Sequence, residues 1–260
     1  MATAGEYLEY TKEQVIHRLN QDGMDSYATR IAACSYHGRR CGLIHSCPLC
    51  RWSKGDNTWN RLLPRIRASL EHGARLVPVT FTVADIPISS LRDTFHHMRQ
   101  SIRRVAAQIT GLAGTVANFE TKPSSRRDGF EHPHVHAVLA LDPSRNRGRD
   151  YTSALAIHQV WAEREPGGSA DVLNLTRTNT LFVDPSDPST WGSNIPAIAA
   201  RHARYCSYMV KASPAQTRQQ MEVELEHDFA SRIQQLHGLH RFTATGSLQP
   251  QPHAVRQTAA

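Results

Sequence analysis

The chain lacks any run of about eighteen apolar residues, the length that a helix needs to cross a bilayer, so no membrane span is predicted. Residues 1–7 also lack the apolar core that export requires, which predicts a cytoplasmic protein. Cysteine is scarce, with five residues in 260, and without export a disulfide is not expected. No internal repeat is visible, and the length fits one large domain, or one domain with a small appendage.

Positive charge is in moderate excess. The formal net charge is +7 and the sequence pI is about 9.4, which favours a polyanionic partner. Arginine-rich loops suit contacts with phosphates, which position a nucleic-acid strand without reading its bases. The grouped arginines are Arg39 and Arg40, Arg61, Arg65 and Arg67, Arg99, Arg103 and Arg104, Arg126 and Arg127, and Arg145, Arg147 and Arg149.

Three histidines alternate at the head of an apolar segment, in the run His132-Pro133-His134-Val135-His136. In a β-strand alternate residues share a face, so the three imidazoles are predicted to point the same way. Two imidazoles two residues apart on a rigid strand can bind one metal ion. The alternative is that they are solvated residues on the open face of a half-buried sheet.

Glu120 ends the preceding apolar segment, residues 114–120. The loop that follows, 122–129, contains Pro, Ser, Asp and Gly, so the two segments are predicted to form a β-hairpin. Glu120 has the parity of His134 and His136, and a plausible register puts all three on one face. Two imidazoles and a carboxylate leave coordination positions open for substrate, as a catalytic site requires, and the carboxylate makes Mg or Mn suitable.

A cationic stripe surrounds a tyrosine in the segment 203–211. Asn194 or Ser193 and Pro196 are predicted to begin the helix that carries it. Tyrosine has a pKa of about 10 and is a poor nucleophile until nearby positive charge stabilises its phenolate. The stripe favours that role and would also hold a phosphate, although many such stripes are only solvated faces. At helical spacing it contains Arg201, Arg204, Tyr208 and Lys211, with Tyr205 close beside it.

Four of the five cysteines, Cys34, Cys41, Cys47 and Cys50, fall within seventeen residues. The last two form a Cys-x-x-Cys pair, and the two upstream thiolates complete a tetrahedral set, which predicts a structural zinc site. His37 and His45 lie in the same segment and could replace one cysteine. The alternative is four reduced cysteines without a metal. The fifth, Cys206, is predicted to be a helix residue packed inward.

In these motifs the chain resembles a rolling-circle replication initiator of small bacterial plasmids, an endonuclease of the HUH superfamily. Three motifs stand in the family's order. Residues 76–83 resemble its first strand, His132–His136 its metal-binding strand, and Tyr208–Lys211 its nucleophile motif. The resemblance covers roughly Cys34 to Lys211, and residues 240–246 show a weaker similarity to the family.

The resemblance implies metal-dependent nicking of single-stranded DNA at a double-stranded origin. Tyr208 would be the primary nucleophile and form a 5′-phosphotyrosine, with Tyr205 as a possible second one, and Lys211 would stabilise the phenolate or the phosphate. A host helicase and polymerase would be partners; the oligomeric state is not predicted. The expected DNA contacts are Arg126, Arg127, His132, Arg201 and Arg204.

One position departs from the family pattern. Relatives of this type often carry a glutamate four residues before the nucleophile, where it is thought to activate water when replication ends. Here that residue is Arg204. The nicking half of the chemistry therefore carries over, whereas the termination half does not.

Three alternatives remain open. A transposase of the same nuclease superfamily also combines a zinc knuckle with tyrosine nucleophiles. A relaxase fits less well, because relaxases usually carry a longer histidine cluster and an N-terminal tyrosine. From another class, the chain could be a non-catalytic, zinc-containing DNA-binding regulator, which a cleavage assay with metal would distinguish.

The predicted fold is an α+β domain with a central, mainly antiparallel sheet, a metal face, and helices on the other face, joined to a small N-terminal zinc-binding segment. The predicted divisions are 1–72 for the N-terminal helices and cysteine segment, 73–246 for the nuclease domain, and 247–260 for a disordered tail. Strands are predicted at 76–83, 114–141 (a hairpin), 171–175 and 180–183. Helices are predicted at 11–33, 59–72, 90–109, 151–163 and 221–236, and in the tyrosine segment.

Overall fold

The computed structural model describes residues 4–36, 38–109, 111–142, 144, 150–172, 209, 213–225 and 228–249. Its helices are α1 Ala4–Gln21, α2 Asp25–Ala32, α3 Pro48–Glu71, α4 Leu91–Gln108, α5 Asp150–Arg164, α6 Pro214–Leu225 and α7 Phe229–Leu236. Its strands are β1 Arg75–Thr82, β2 Ile86–Pro87, β3 Leu112–Pro123, β4 Phe130–Leu141, β5 Ala170–Val172 and β6 Phe242–Gly246. The predicted strand at 180–183, the tyrosine helix except Met209, and residues 250–260 of the predicted tail lie outside the described residues.

The strands form one sheet in the order β5-β1-β4-β3-β6, with β2 paired to the outer end of β4. Every pairing is antiparallel. Helices flank this sheet, so the predicted α+β fold with a central antiparallel sheet is confirmed.

The turn between β3 and β4 fixes the register of the long hairpin. The Ser124 hydroxyl accepts hydrogen bonds from the main-chain N–H groups of Arg126 and Arg127, and Gly129 takes a φ of 73°, which glycine adopts without strain. As a result Glu120 pairs directly with His134, and Asn118 pairs with His136. The first strand joins on the other side, where Thr80 pairs with His136.

Different helices pack on the two faces of the sheet. The face opposite the histidines carries Val79, Phe81, Phe119 and Val135, which are buried in one cluster with apolar residues of α4 and α5. On the histidine face, buried Leu62, Ile66 and Leu70 of α3 pack over Val116, Val138 and Ala140. Helix α3 thus covers the end of the metal face away from the histidines, in addition to the helices on the opposite face.

The N-terminal segment shares a core with the C-terminal helices. Leu8, Val15 and Leu19 of α1 cluster with the cysteine segment and with Met221, Phe229 and Ile233 of α6 and α7. Residues 1–72 were predicted as a division of their own. In the structure their apolar side chains pack against residues that are distant in sequence.

Several predicted helices have different bounds in the structure. The helix predicted at 11–33 is two helices, because Gly23 takes a φ of 71° between them. Helix α3 begins eleven residues before the predicted start at Trp59, directly at the cysteine cluster. The helix predicted at 221–236 is also two, and Asp228 caps the second by accepting from the Ser231 N–H. Ser90 stands before α4, but its side chain makes no capping hydrogen bond.

Leu248 lies within the predicted tail, yet its side chain is fully buried beside Val116 and Val138. The polypeptide is therefore part of the folded core at this point. No helix in the described part of the chain is long and apolar enough to cross a membrane.

Candidate metal centres and nucleic-acid interface

The hairpin brings Glu120, His134 and His136 together as predicted. Their ligand atoms lie within 4.8 Å of one another. The Glu120 carboxylate oxygen Oε2 is 3.7 Å from His134 Nε2 and 4.0 Å from His136 Nε2. Glu120 is buried, while each imidazole keeps about an eighth of its side chain exposed. The carboxylate is thus fixed inside the sheet and the two ring nitrogens converge on it.

Neighbouring groups orient each member of this trio. Thr80 Oγ1 lies 3.2 Å from His136 Nδ1, and the main-chain oxygen of His132 lies 3.2 Å from His134 Nδ1. Asn118 Nδ2 donates to Glu120 Oε1 at 2.8 Å. When the Nδ1 atoms carry the protons, both Nε2 atoms present a lone pair on the side of Glu120.

The donor set fits a divalent cation. Three ligand atoms, one anionic and two neutral, converge within 4.8 Å, and each ring nitrogen faces the carboxylate. Three protein ligands leave positions for water or substrate oxygens, which distinguishes a reactive site from a closed structural one. The trio is therefore a possible metal site, with carboxylate chemistry compatible with Mg or Mn.

His132 lies outside the trio. Its Nδ1 is 2.8 Å from Asp85 Oδ1, and the other oxygen of Asp85 accepts from the Ser124 hydroxyl. The hydrogen bond from Ser124, together with His132, holds the pKa of Asp85 below its usual value. These groups line a cavity of about 270 Å³ with Arg126 and Arg127. The hairpin loop thus places two predicted DNA contacts beside the metal face.

A second contact of Asn118 reaches the segment that was predicted to carry the nucleophile. Its Nδ2 also donates to the main-chain oxygen of Met209 at 2.6 Å, and the Met209 side chain is fully buried. Met209 directly follows Tyr208 in the chain. The predicted residues Tyr205, Tyr208, Lys211, Arg201 and Arg204 lie outside the described residues.

The four clustered cysteines meet at the start of α3. All four sulfurs lie within 4.8 Å of one another, and Cys50 Sγ is 3.6 Å from Cys34 Sγ and 3.5 Å from Cys41 Sγ. Tetrahedral zinc with bonds of about 2.3 Å needs sulfurs roughly 3.8 Å apart. All four are free cysteines rather than disulfides. The cluster is therefore a possible zinc site built from residues 34–50.

The protonation of this cluster also suits a cation. Hydrogen bonds from Cys41 and Cys47 lower the pKa of Cys50 to about 2, whereas the contacts with Cys41 and Cys50 raise the pKa of Cys47. One thiolate is thus stabilised at the expense of its neighbours. Four thiolates this close repel one another, so a bound cation is needed for all of them to ionise.

His45 was considered as a substitute zinc ligand, but both of its ring nitrogens are already bonded elsewhere. Arg241 donates to Nδ1 at 2.8 Å, so Nε2 carries the proton and donates to the Leu239 oxygen at 2.7 Å. Burial and the charge of Arg241 lower the pKa of His45 to about 2, so the ring is neutral. His45 therefore supports the fold, and His37 lies outside the described residues.

A buried ionic network joins the cysteine segment to the sheet. Arg51, next to Cys50 in α3, donates to both oxygens of Glu224 in α6 at 3.1 and 2.9 Å. Arg232 of α7 binds the main-chain oxygen of Glu224 and the carboxylate of Glu131 in β4. The Thr121 hydroxyl also donates to Glu131. This network connects the cysteine segment to β3 and β4, the strands of the metal trio, through α3, α6 and α7.

Sequence reasoning did not assign roles to Asn118, Asp85 or Ser124. A signal for Asn118 is visible: it is a polar residue two positions before Glu120 that interrupts the apolar run 116–119. Thr80 stood in the predicted first strand with alternating threonines, but its contact with His136 needs the β1–β4 register. Asp85 carries no local signal, because its partners Ser124 and His132 lie about forty residues away.

A model of the replication protein family matches residues 35–164, which is half of the chain and includes β1, the hairpin and most of the cysteine segment. No match was found among curated proteins or among solved structures. The chain belongs to the family of plasmid replication proteins.

Proposed function

We propose that this replication protein nicks single-stranded DNA at the plasmid origin and joins the new 5′ end to Tyr208. The observation that supports this most strongly is the pair of hydrogen bonds made by Asn118, one to the Glu120 carboxylate and one to the main-chain oxygen of Met209. These bonds tie the metal trio to the residue that directly follows Tyr208. This adjacency in the chain supports Tyr208 as the nucleophile.

Glu120, His134 and His136 would hold a divalent ion, which would neutralise charge on the scissile phosphate and polarise its phosphorus–oxygen bonds. The Tyr208 phenolate oxygen attacks the phosphorus in line. The bond from phosphorus to the 3′ oxygen breaks as the bond to the phenolate oxygen forms. The 3′ oxygen takes a proton and leaves as a hydroxyl that can prime synthesis, while the phenolic proton is lost before attack.

The nucleophile needs a cationic setting, which the sequence around it supplies. Arg204 and Lys211 lie four residues before and three after Tyr208, and would stabilise both its phenolate and the phosphate. Because the link to DNA is itself a phosphodiester, the reaction can reverse and rejoin strands without ATP. Tyr205 is the candidate for the second transfer, since Arg204 stands where relatives often carry a glutamate.

Arg126, Arg127 and His132 would position the strand next to the trio. They line one cavity beside the metal face, together with Thr82 of β1. Arginine contacts with phosphate supply affinity without sequence information. The four cysteines would hold zinc in a structural role at the start of α3.

The test is a covalent adduct between the protein and single-stranded oligonucleotides from a candidate origin, with Mg²⁺ or Mn²⁺ added. Wild type should give an adduct that migrates with the DNA strand on a denaturing gel. Tyr208→Phe should give none while binding the same DNA with unchanged affinity. Tyr205→Phe is the matched control and should still form the first adduct.

Two outcomes would contradict the proposal. An adduct formed by Tyr208→Phe but not by Tyr205→Phe would transfer the nucleophile to Tyr205. Wild type that binds the origin but forms no adduct with any strand would make the chain a DNA-binding replication protein without nicking activity.

A further inference from the structure

A second cavity on the metal face lies between α3 and the edge of the sheet. Its volume is about 100 Å³, enough for several water molecules or one tetrahedral oxyanion. Helix α3 contributes Lys54, Gly55 and Thr58, which share one side of the helix because Lys54 and Gly55 lie one turn before Thr58. Asn118 of β3 and its cross-strand neighbour Phe242 of β6 form the opposite wall.

Cations outnumber carboxylates around this cavity. Arg51 and Arg241 both line it, but Glu224 is engaged by Arg51 through two hydrogen bonds. Arg241 Nη2 remains 3.8 Å from that carboxylate, and no hydrogen-bond acceptor for it is found among the described residues. Lys54 adds a further exposed positive charge at the rim.

Such an excess is costly unless an anion balances it. The Arg241 side chain is nine-tenths buried and shares its carboxylate partner, Glu224, with Arg51, so one carboxylate faces two buried cations. Burial and the charge of Arg51 lower the pKa of Arg241 to about 10, which still leaves it charged at neutral pH. The other nearby acid, Glu120, belongs to the metal trio.

The cavity and the metal trio are adjacent, because a single side chain, that of Asn118, contacts both. Asn118 forms part of its wall and donates to Glu120 Oε1 at 2.8 Å. A strand whose scissile phosphate lies at the trio would therefore bring a neighbouring phosphate to the cavity. Phe242, which is half-buried, offers an apolar surface at the same wall.

We propose that this cavity binds a backbone phosphate of the DNA strand next to the scissile phosphate, through Lys54 and Arg241. The inference rests on the proposed nicking function, because it places the strand across the trio. It also gives α3 a function beyond packing: the helix begins in the cysteine cluster, and its first turns then reach the substrate.

The test measures binding of single-stranded DNA of mixed sequence, without added Mg²⁺ or Mn²⁺, over a series of salt concentrations. Backbone contacts do not depend on sequence, so the origin need not be known. Lys54→Ala should weaken binding by about 5- to 10-fold at low salt and make the slope of log affinity against log salt shallower by about 0.7, the value for one lost phosphate contact.

Arg67→Ala is the matched control. Arg67 is exposed on the same helix and carries the same charge, but it does not line the cavity. Its affinity and salt slope should equal those of wild type. A second variant, Gly55→Leu, fills the cavity without removing a charge and should also lose affinity, provided that its melting temperature shows a folded protein.

Three results would overturn the proposal. The first is a Lys54→Ala variant that behaves like Arg67→Ala, and the second is a folded Gly55→Leu variant with normal affinity. The third is inorganic phosphate that raises the melting temperature of wild type but not of Lys54→Ala while DNA affinity stays equal, which would assign the cavity to a free anion. If wild type forms no adduct, nicking fails, whereas the Lys54 comparison still decides whether the cavity binds DNA.

Discussion

At the scale of single residues, the metal trio depends on which histidines face the carboxylate. His134 and His136 point Nε2 toward Glu120, while His132, on the same strand face, bonds to Asp85. The main-chain oxygen of His132, not its ring, contacts His134 Nδ1. The His132 ring also stacks on the His134 ring, with centroids 6.1 Å apart, but it supplies no ligand atom to the trio.

This separation gives a test with a built-in control. His136→Ala should lower the affinity for Mn²⁺ by at least about 100-fold and abolish the DNA adduct, because one of three ligands is lost. His132→Ala should bind Mn²⁺ as wild type does, because the main-chain oxygen remains. Calorimetric titration with Mn²⁺ measures both affinities. Equal Mn²⁺ affinity in wild type and His136→Ala would remove His136 from the metal site.

At the scale of elements, α3 connects the two candidate metal centres. Cys47 precedes its first residue and Cys50 lies in its first turn, so zinc would fix the start of the helix. Its middle lines the cavity beside Asn118, and its last turns pack on Val116 and Val138. The cysteine cluster and the metal face are therefore joined by one continuous helix.

Zinc content tests this arrangement. After brief treatment with EDTA the protein should retain about one zinc per chain, because four thiolates bind zinc far more tightly than the trio binds Mg²⁺. Cys47→Ser should lose the zinc and melt roughly 10 °C lower, because the metal contributes folding energy. Elemental analysis and thermal melting measure the two effects.

Cys206→Ser is the control for the zinc experiment, because four other cysteines already supply the four ligands of the cluster. It should keep its zinc. Wild type without zinc, or a Cys47→Ser variant with full zinc content and an unchanged melting temperature, would exclude the zinc site.

At the scale of the whole molecule, buried ion pairs hold distant parts of the chain together. Glu224 of α6 binds Arg51 of α3, and Glu131 of β4 binds Arg232 of α7. Burial raises the pKa of Glu224, but the charges of Arg51 and Arg241 outweigh it and hold this pKa below its usual value. The carboxylate is therefore ionised in the folded protein at neutral pH.

Glu224→Gln should lower the free energy of unfolding by about 3–5 kcal/mol at pH 7, because Arg51 is left buried and unpaired. Glu222→Gln on the same helix is the control. Glu222 pairs with Arg218 at the surface, where solvent screens the pair and it contributes little to stability. Urea unfolding at pH 7 measures the free energy of unfolding of both variants. An equal decrease in the two variants would show that the buried pair of Glu224 and Arg51 does not stabilise the contact between α6 and α3.

The same pair predicts a dependence on acid. Since the pKa of Glu224 is lowered on folding, its contribution is complete above the unfolded value of about 4.3 and is lost as the pH falls below it. As the pH is lowered from 5 through this range, the free energy of unfolding of wild type should therefore fall more than that of Glu224→Gln. An identical acid profile in both proteins would contradict this assignment.

The sequence by itself determined the features that depend on local spacing. Alternation along a strand put Glu120, His134 and His136 on one face, because the side-chain period of a strand is two and the turn residues of 124–129 close a hairpin. Four cysteines within seventeen residues indicated a tetrahedral site for a similar reason: short loops bring their sulfurs together. The catalytic assignment of Tyr208 came from a resemblance and from its cationic neighbours, and it stays a prediction.

Tertiary structure alone decided which distant groups serve these motifs. Asn118 contacts Met209, Asp85 binds His132, and Arg51 binds Glu224, in pairs separated by 47 to 173 residues. No periodicity encodes such pairs, because they arise where the sheet, α3 and the C-terminal helices pack together. The tertiary structure also shows that His45 is not a zinc ligand, because hydrogen bonds to Arg241 and Leu239 occupy both of its ring nitrogens. The spacing of residues in the sequence determines which side chains share a face of a strand or helix. The packing of distant elements determines which groups contact that face.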